Sequence, residues 1–201
     1  MPLLPLFPLD VVLLPGTDLP LHIFEPRYKE MIGECITTQA PFGVVRGVEQ
    51  GIADIGCTAE IISVTRKYAD GELDLIAQGR RRFEVLALNQ ERAFLQAEIL
   101  YVPDEPGDAE PEETARVLEL HRQILLLAGV KPGDAGRNLA SLSFDLAGSL
   151  PLDLDFKQNL LAARSEGKRV QLLAAYLERI LPALRLAAHA RAKSGGNGHV
   201  H

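Results

Sequence analysis

The chain changes its hydrophobic period at one place, "DEPGDAEPEE" at residues 104–113, and that change limits what it can fold into. Proline, glycine and charge cluster there between two kinds of pattern, which marks a boundary. Before it the sequence reads mostly as strands. "GCTAEIISVTRKY" and "GELDLIAQ" flank a turn at Ala69–Gly71, a hairpin signal. "RRFEVLALN" and "RAFLQAEILYV" make a second pair around Asn89–Arg92. Within it Phe83, Val85 and Ala87 alternate with Arg82, Glu84 and Leu86, the period of a half-buried strand. Short apolar runs at 3–7, 11–14, 19–24 and 42–46 predict further strands. Only Pro26–Thr38 departs: proline suits a first helical turn, and Tyr28, Ile32, Cys35 and Ile36 recur at helical spacing. Residues 1–103 are therefore expected to form a curled sheet or partial barrel with one inserted helix, followed by an acidic linker at 104–111.

After the boundary the period is helical. Thr114, Val117, Leu118, His121, Ile124, Leu125 and Ala128 mark one face of a helix that Gly129 and Pro132 stop. A second helix is predicted over about 137–147. A third follows Pro151, with Phe156, Leu160 and Leu161 inward. The fourth is long, 168–193, with Leu172, Leu173, Tyr176 and Ile180 on its apolar face. Pro182 removes a backbone bond to Glu178 at a cost of roughly 3 kcal/mol, so a kink or break is expected there. The helical subdomain is placed at 112–193. The tail "SGGNGHVH", 194–201, has no periodicity and is expected to be disordered.

Charge and composition exclude several functions. The net charge is −6, and "DEPGDAEPEE" alone holds six acidic residues and no basic one. The rest is balanced, which argues against a broad nucleic-acid footprint. The arginines of "GRRRF", 79–83, alternate across a strand, with Arg80 and Arg82 on one face and Arg81 on the other. No tryptophan and four tyrosines leave little for stacking bases. No apolar run approaches about 18 residues, so no membrane span is expected. The N-terminus "MPLLPLFPLD" lacks a basic leader region. Cys35 and Cys57 form no C-x-x-C pair and read as small buried thiols. The expected compartment is the cytoplasm.

"LHIFEPRYKEM", 21–31, gathers histidine, glutamate, arginine and tyrosine, and His22 and Glu25 have the H-x-x-E spacing of half a metal site. A metal site needs three or four ligands, and histidines 121, 189, 199 and 201 offer no ligand spacing. If 21–24 is a strand and 26 onward a helix, His22 and Glu25 need not converge. The stretch then reads as a strand-to-helix junction. Glu25 sits at the helix N-terminus, where a carboxylate is worth roughly 0.3–1 kcal/mol; Pro26 starts the helix, Tyr28 packs beneath it, and Arg27 faces solvent or a ligand. Glu25, Arg27 and Lys29 are the candidate ligand contacts. The sequence offers no catalytic residue, metal ligand set or cofactor site.

Longer segments carry a resemblance. "PLFPLDVVLLPGTDLPLHIFEPRY" and "GCTAEIISV…DGELDLIAQGRRRFEV" resemble the Lon protease N-terminal substrate-binding domain, as does "LASLSFDLAGSLPLDLDFKQNLL" in the helical half. The likeness covers about residues 3–190; Cys57 stands where the family often has threonine. It implies an α+β fold, a PUA-like β pseudo-barrel followed by a helical bundle with a long C-terminal helix. It also implies a non-catalytic module, free-standing, that recognises unfolded or partly folded protein segments beside a protease or chaperone in protein quality control. No G-x-x-x-x-G-K-[ST] is present, since "SEGKR" at 165–169 lacks the upstream glycine and the hydroxyl; no G-x-S-x-G occurs either. RNA binding is the alternative, because PUA-like barrels elsewhere bind RNA. Weak self-association stays open.

Overall fold

A computed structural model describes residues 3–131 and 141–195. The chain divides into two compact units, one comprising residues up to Asp104 together with Pro151–Ala162, the other Glu105–Leu150 and Ala163 onward.

The first unit is built on seven strands: β1 (Leu4–Leu9), β2 (Asp18–Ile23), β3 (Phe42–Val48), β4 (Gly51–Ile52), β5 (Ile55–Lys67), β6 (Leu73–Asn89) and β7 (Gln96–Tyr101). They are ordered β1-β7-β6-β5-β3-β4, with β2 beside β6. A parallel pairing of Leu6–Leu9 with Gly43–Arg46 joins β1 to β3, so the sheet closes on itself. The two hairpins share a strand. "GELDLIAQ" and "RRFEVLALN", expected as separate strands, are one 17-residue β6. On one edge β6 meets β2 along its first part and β7 along its second, while β5 holds the other edge. Inside lie Leu4, Leu6, Val45, Phe83 and Ala97. A Cβ on Gly56 would come within 2.6 Å of the Phe83 ring, so glycine there is what admits the ring.

Residues 11–14, expected as a strand, are not one. Leu13 and Leu14 are buried in a loop folded over β6. Gly16 N–H donates to the Gly79 carbonyl and Gly79 N–H to the Thr17 carbonyl, both at 2.9 Å. A Cβ on Gly79 would stand 2.3 Å from the Leu14 carbonyl oxygen, a clash that reserves the position for glycine.

Helix α1 (Pro26–Thr38) has the predicted bounds, with proline in its first turn and Tyr28, Met31, Ile32 and Cys35 buried. Ile36, expected inward, is exposed at the helix margin. Tyr28 packs on Phe7 with the rings tilted by 32° and their centroids 4.1 Å apart, and Phe7 meets Phe42 at 6.3 Å.

The helices expected over 112–193 divide between the two compact units. Helix α2 (Pro111–Leu127), α3 (Leu142–Gly148) and α5 (Glu166–Gly195) form the second unit, but α4 (Leu154–Ala162) belongs to the first. Polar contacts hold α4 there: Arg46 pairs with Asp155, Gln158 Nε2 donates to the Ile55 carbonyl at 2.9 Å, and Arg82 Nη1 donates to the Leu161 carbonyl at 2.7 Å. The acidic stretch is anchored as well. Glu105 N–H donates to Arg164 O and Gly167 N–H to Gly107 O, both at 2.8 Å.

Of the second helix, predicted over 137–147, residues 137–140 fall outside the described residues. Helix α5 runs through Pro182 without a break. Pro182 is exposed, and the carbonyl it leaves free is that of half-buried Glu178, one turn earlier. Its buried stripe is Val170, Leu173, Ala174, Leu177 and Leu181, with Leu172, Tyr176 and Ile180 at the margin. The helix continues two residues into the expected tail, whose remainder, 196–201, lies outside the described residues. Among the described residues no helix is long and apolar enough to cross a membrane.

Candidate functional site

The strand-to-helix junction at 22–29 brings the sequence candidates together. Inward-facing Leu19, Leu21 and Ile23 of β2 alternate with outward Pro20 and His22. Glu25 is the N-cap of α1 in extended geometry, and its carboxylate makes no capping bond. Arg27 takes it instead, Nη2 at 2.8 Å and Nε at 2.9 Å, and the guanidinium lies 4.6 Å over the Tyr28 ring. Lys29 Nζ donates to the Asp70 carbonyl at 3.1 Å, reaching the tip of the β5–β6 hairpin. Burial is the main cause that raises the Tyr28 phenol above its usual range, and Arg27 opposes it.

His22 does not approach Glu25 as a ligand partner. Its Nδ1 donates to Asp74 at 2.7 Å, and Nε2 lies 3.3 Å from Glu72. Tyr68 donates its phenol proton to the second Asp74 oxygen at 2.8 Å. Bonds from His22 and then Tyr68 hold the Asp74 carboxyl below the usual range. A His–Asp pair is the start of an acid–base site, but here the outer nitrogen is turned to a carboxylate and not to a nucleophile. Among the described residues no three His, Cys, Asp or Glu side chains gather around a metal position. What the cluster does is lock β2 and α1 to the hairpin.

Phe24 was not among the candidates. It is 55% exposed and stacks on His22 at 5.8 Å, with Glu25 and Arg27 following it in sequence. Period two along β2 was the available signal: if Ile23 is inward, Phe24 turns outward.

Two concavities open on the same unit. One, of about 380 Å³, is lined by Cys35, Ile36, Gln39 and Ala40 of the α1 end and by Glu60–Val64 of β5. The other, of about 410 Å³, lies on the outer face of β2, β6 and β5 around Pro20, His22, Asp74 and Ile76. Burial pushes the Cys35 thiol up to about 11 and Cys57 to about 12, so neither supplies a thiolate at neutral pH. The arginine run does not form a basic stripe. Arg80 is paired with Glu60, Arg81 lies 3.6 Å over Tyr101, and Arg82 is buried against Asp104.

The sequence profile of the ATP-dependent protease La (LON) substrate-binding domain matches residues 3–179. Lon protease of Anaeromyxobacter dehalogenans is 28% identical over 202 aligned positions, covering 92% of this chain and 24% of the relative. Lon protease of Parabacteroides distasonis is 31% identical over 125 residues, 58% of this chain and 15% of the relative. The chain thus spans less than a quarter of the length of these curated relatives. Among solved structures, a Lon N-terminal domain protein from Xanthomonas campestris superposes with a TM-score of 0.72 at 30% identity, covering 88% of this chain and 99% of that one. The N-terminal domain of Mycobacterium avium complex Lon protease gives 0.65 at 21% identity, over 88% of this chain and 98% of the other, and shares the α+β fold.

Proposed function

This chain belongs to the Lon substrate-binding domain family, and on that premise we propose that it recognises polypeptide segments and performs no chemistry on them. The observation that carries the reading is the family match over residues 3–179. The recognised segments are exposed apolar stretches of unfolded or partly folded proteins, presented in the cytoplasm to a protease or chaperone as part of quality control. Phe24 supplies an exposed aromatic anchor, and Glu25, Arg27 and Lys29 beside it are the proposed polar contacts. Aromatic anchors with a polar rim are how interfaces concentrate their energy.

Affinity should be low. Ordering one ligand residue costs roughly 1–2 kcal/mol, so immobilising about five residues costs on the order of 5–10 kcal/mol. One shallow surface offsets most of that and leaves little surplus. Avidity, or the partner machine, supplies the rest.

Salt dependence tests the reading. Reduced casein should bind at micromolar or poorer affinity with a shallow salt slope, because few ions are released when apolar surfaces meet. Single-stranded RNA held by about four phosphate contacts would give a log–log slope near −3. The decisive variant is Arg80→Ala, since Arg82 is buried and its loss would disturb the fold. Submicromolar RNA binding that falls steeply with salt and with Arg80→Ala would replace peptide recognition by the RNA reading.

A further inference from the structure

Strands β2 and β5 of the first unit each leave a side without a neighbouring strand among the described residues, β5 over part of its length, and the two edges are built differently. β2 pairs only with β6, and its outward positions are Asp18, Pro20 and His22. Charge and proline are the devices by which proteins keep an edge from pairing. β5 meets β3 only at Cys57, Thr58 and Ala59; from Glu60 to Lys67 that side carries no strand. Its middle, Ile61-Ile62-Ser63-Val64-Thr65, has no charge, proline or glycine, and Ile62 is 52% exposed. A charge-free, β-branched run on an open edge is a template for another strand. The β5–β6 register slips between Ile61 and Ser63 and again between Val64 and Arg66. Such bulges bend a strand and re-aim its side chains.

The groove of about 380 Å³ runs along this edge, between Glu60–Val64 and the C-terminal end of α1. It is polarised along its length. Helix carbonyls place partial negative charge at the Gln39 end, where the last turn has no basic residue, while Arg66 and Lys67 follow on β5 beyond the lined stretch. Ile61–Val64 of the β5 lining is uncharged, and the one charged residue in it, Glu60, is paired with Arg80 at 2.8 Å.

We propose that this edge takes up, by strand addition, an extended segment of an unfolded polypeptide whose uncharged middle is flanked by a basic residue toward Gln39 and an acidic one toward Arg66 and Lys67. The proposal rests on the peptide-recognition reading and adds to the Phe24 junction a second surface with its own binding mode. Main-chain hydrogen bonds then supply affinity whatever the sequence, and alternate side chains enter the groove. That is the specificity expected of a binder that must accept many substrates: strict about conformation and charge, tolerant of side-chain identity.

The test is hydrogen exchange on the full chain with reduced casein, joined to binding by an eight-residue Val/Thr peptide carrying Lys at one end and Glu at the other. Casein should slow exchange at residues 60–65, and Ile62→Lys, at an exposed position, should weaken casein binding about tenfold. N-methylating alternate amides of the peptide keeps its side chains and removes donors, and should cost about tenfold. Casein binding that leaves 60–65 unprotected and tolerates Ile62→Lys overturns strand addition and leaves peptide recognition standing. Absence of binding by both casein and peptide overturns both. Protection that rises with protein concentration alone assigns the edge to a second copy, and also overturns the proposal.

Discussion

The helical unit and the junction of the sheet unit both join an arginine to a nearby glutamate, in surroundings that could hardly differ more. In the helical unit Arg169 is 0% and Glu166 5% exposed. Glu166 accepts the Ser143 N–H at 2.7 Å and its hydroxyl at 2.8 Å, satisfying a free donor at the start of α3. Arg169 reaches the same carboxylate through Nε at 2.9 Å and Nη2 at 2.8 Å, donates to the Ala163 carbonyl at 3.2 Å, and lies 4.5 Å over Phe144. At the junction Arg27 holds Glu25 at 2.8 Å, but Arg27 is 50% exposed. Distances are the same; burial is not. A desolvated pair depends on every partner, because losing one strands the other in a medium that cannot solvate it. An exposed pair returns to water at little cost.

The largest test of that contrast is Arg169→Ala. It should destabilise the helical unit by about 3–5 kcal/mol, the usual cost of leaving one member of a buried pair uncompensated. Urea unfolding followed by helical circular dichroism measures it. Replacing the whole node, Ser143→Ala with Glu166→Leu and Arg169→Met, should recover most of the loss, since buried pairs often exchange for apolar groups of similar volume. If Arg169→Ala leaves the urea midpoint unmoved, the contrast is gone. Next in size is Tyr28→Ala, a buried ring at the exposed junction, expected to cost about 3 kcal/mol. An unchanged melting temperature would mean that the buried face of α1 is not the one carrying Tyr28.

This contrast also marks what could be read in the sequence. Helix α1 was legible to the residue because Pro26 and the spacing of Tyr28, Ile32 and Cys35 are local signals. The hairpin at Asp70–Gly71 was legible for the same reason; Gly71 N–H bonds the Tyr68 carbonyl at 3.1 Å and Glu72 N–H the Asp70 side chain at 3.1 Å. The parallel closure of β1 on β3 has no local signature, since nothing at Leu6 specifies Gly43. α4 shows the same limit: Leu160 and Leu161 announce a buried face without saying which unit buries it. Glu166 and Arg169 stand three apart on a helix, the spacing of an ordinary surface pair, so their burial was invisible. The eye goes to "LHIFEPRYKEM", where polar residues are dense in sequence. The junction does assemble Glu25, Arg27 and Lys29, but Phe24 was hidden by being an ordinary apolar residue at the end of an apolar strand.

A third prediction moves the contrast to pH. His121 is buried on α2 and bonds Ser149 Oγ at 2.7 Å. The Ser149 hydroxyl gives its own proton to the Leu146 carbonyl at 2.8 Å, so Nε2 of His121 is the donor, and burial favours the neutral ring. Burial lowers its affinity for a second proton. An unfolded imidazole protonates near about 6.5, and the folded one only at lower pH. Below about pH 6.5 the unfolded chain therefore binds more protons, and the helical unit loses stability as pH falls. Thermal melts between pH 7.5 and 5 should show this loss, and His121→Gln should flatten that part of the profile. A wild-type profile that is flat, or that rises toward acid, contradicts a neutral buried ring.

The smallest expected effect is at the junction itself, and it is read better by titration than by stability. Arg27→Ala should leave stability within about 0.5 kcal/mol, as surface substitutions usually do. The same change removes the cation that lies 4.6 Å over the Tyr28 ring and favours its phenolate. Burial and Glu25 both act to raise the Tyr28 phenol, and only Arg27 opposes them. Without Arg27 the phenol should titrate at still higher pH, and Arg27→Lys should restore part of the difference. Ultraviolet titration of the phenolate at alkaline pH distinguishes the outcomes. A melting temperature that drops sharply with Arg27→Ala would show that the exposed pair carries structural weight. An unmoved melting temperature with an upward Tyr28 shift would show a charge that is felt electrically by the core and is structurally dispensable, which is the property expected of a residue left free to meet a ligand.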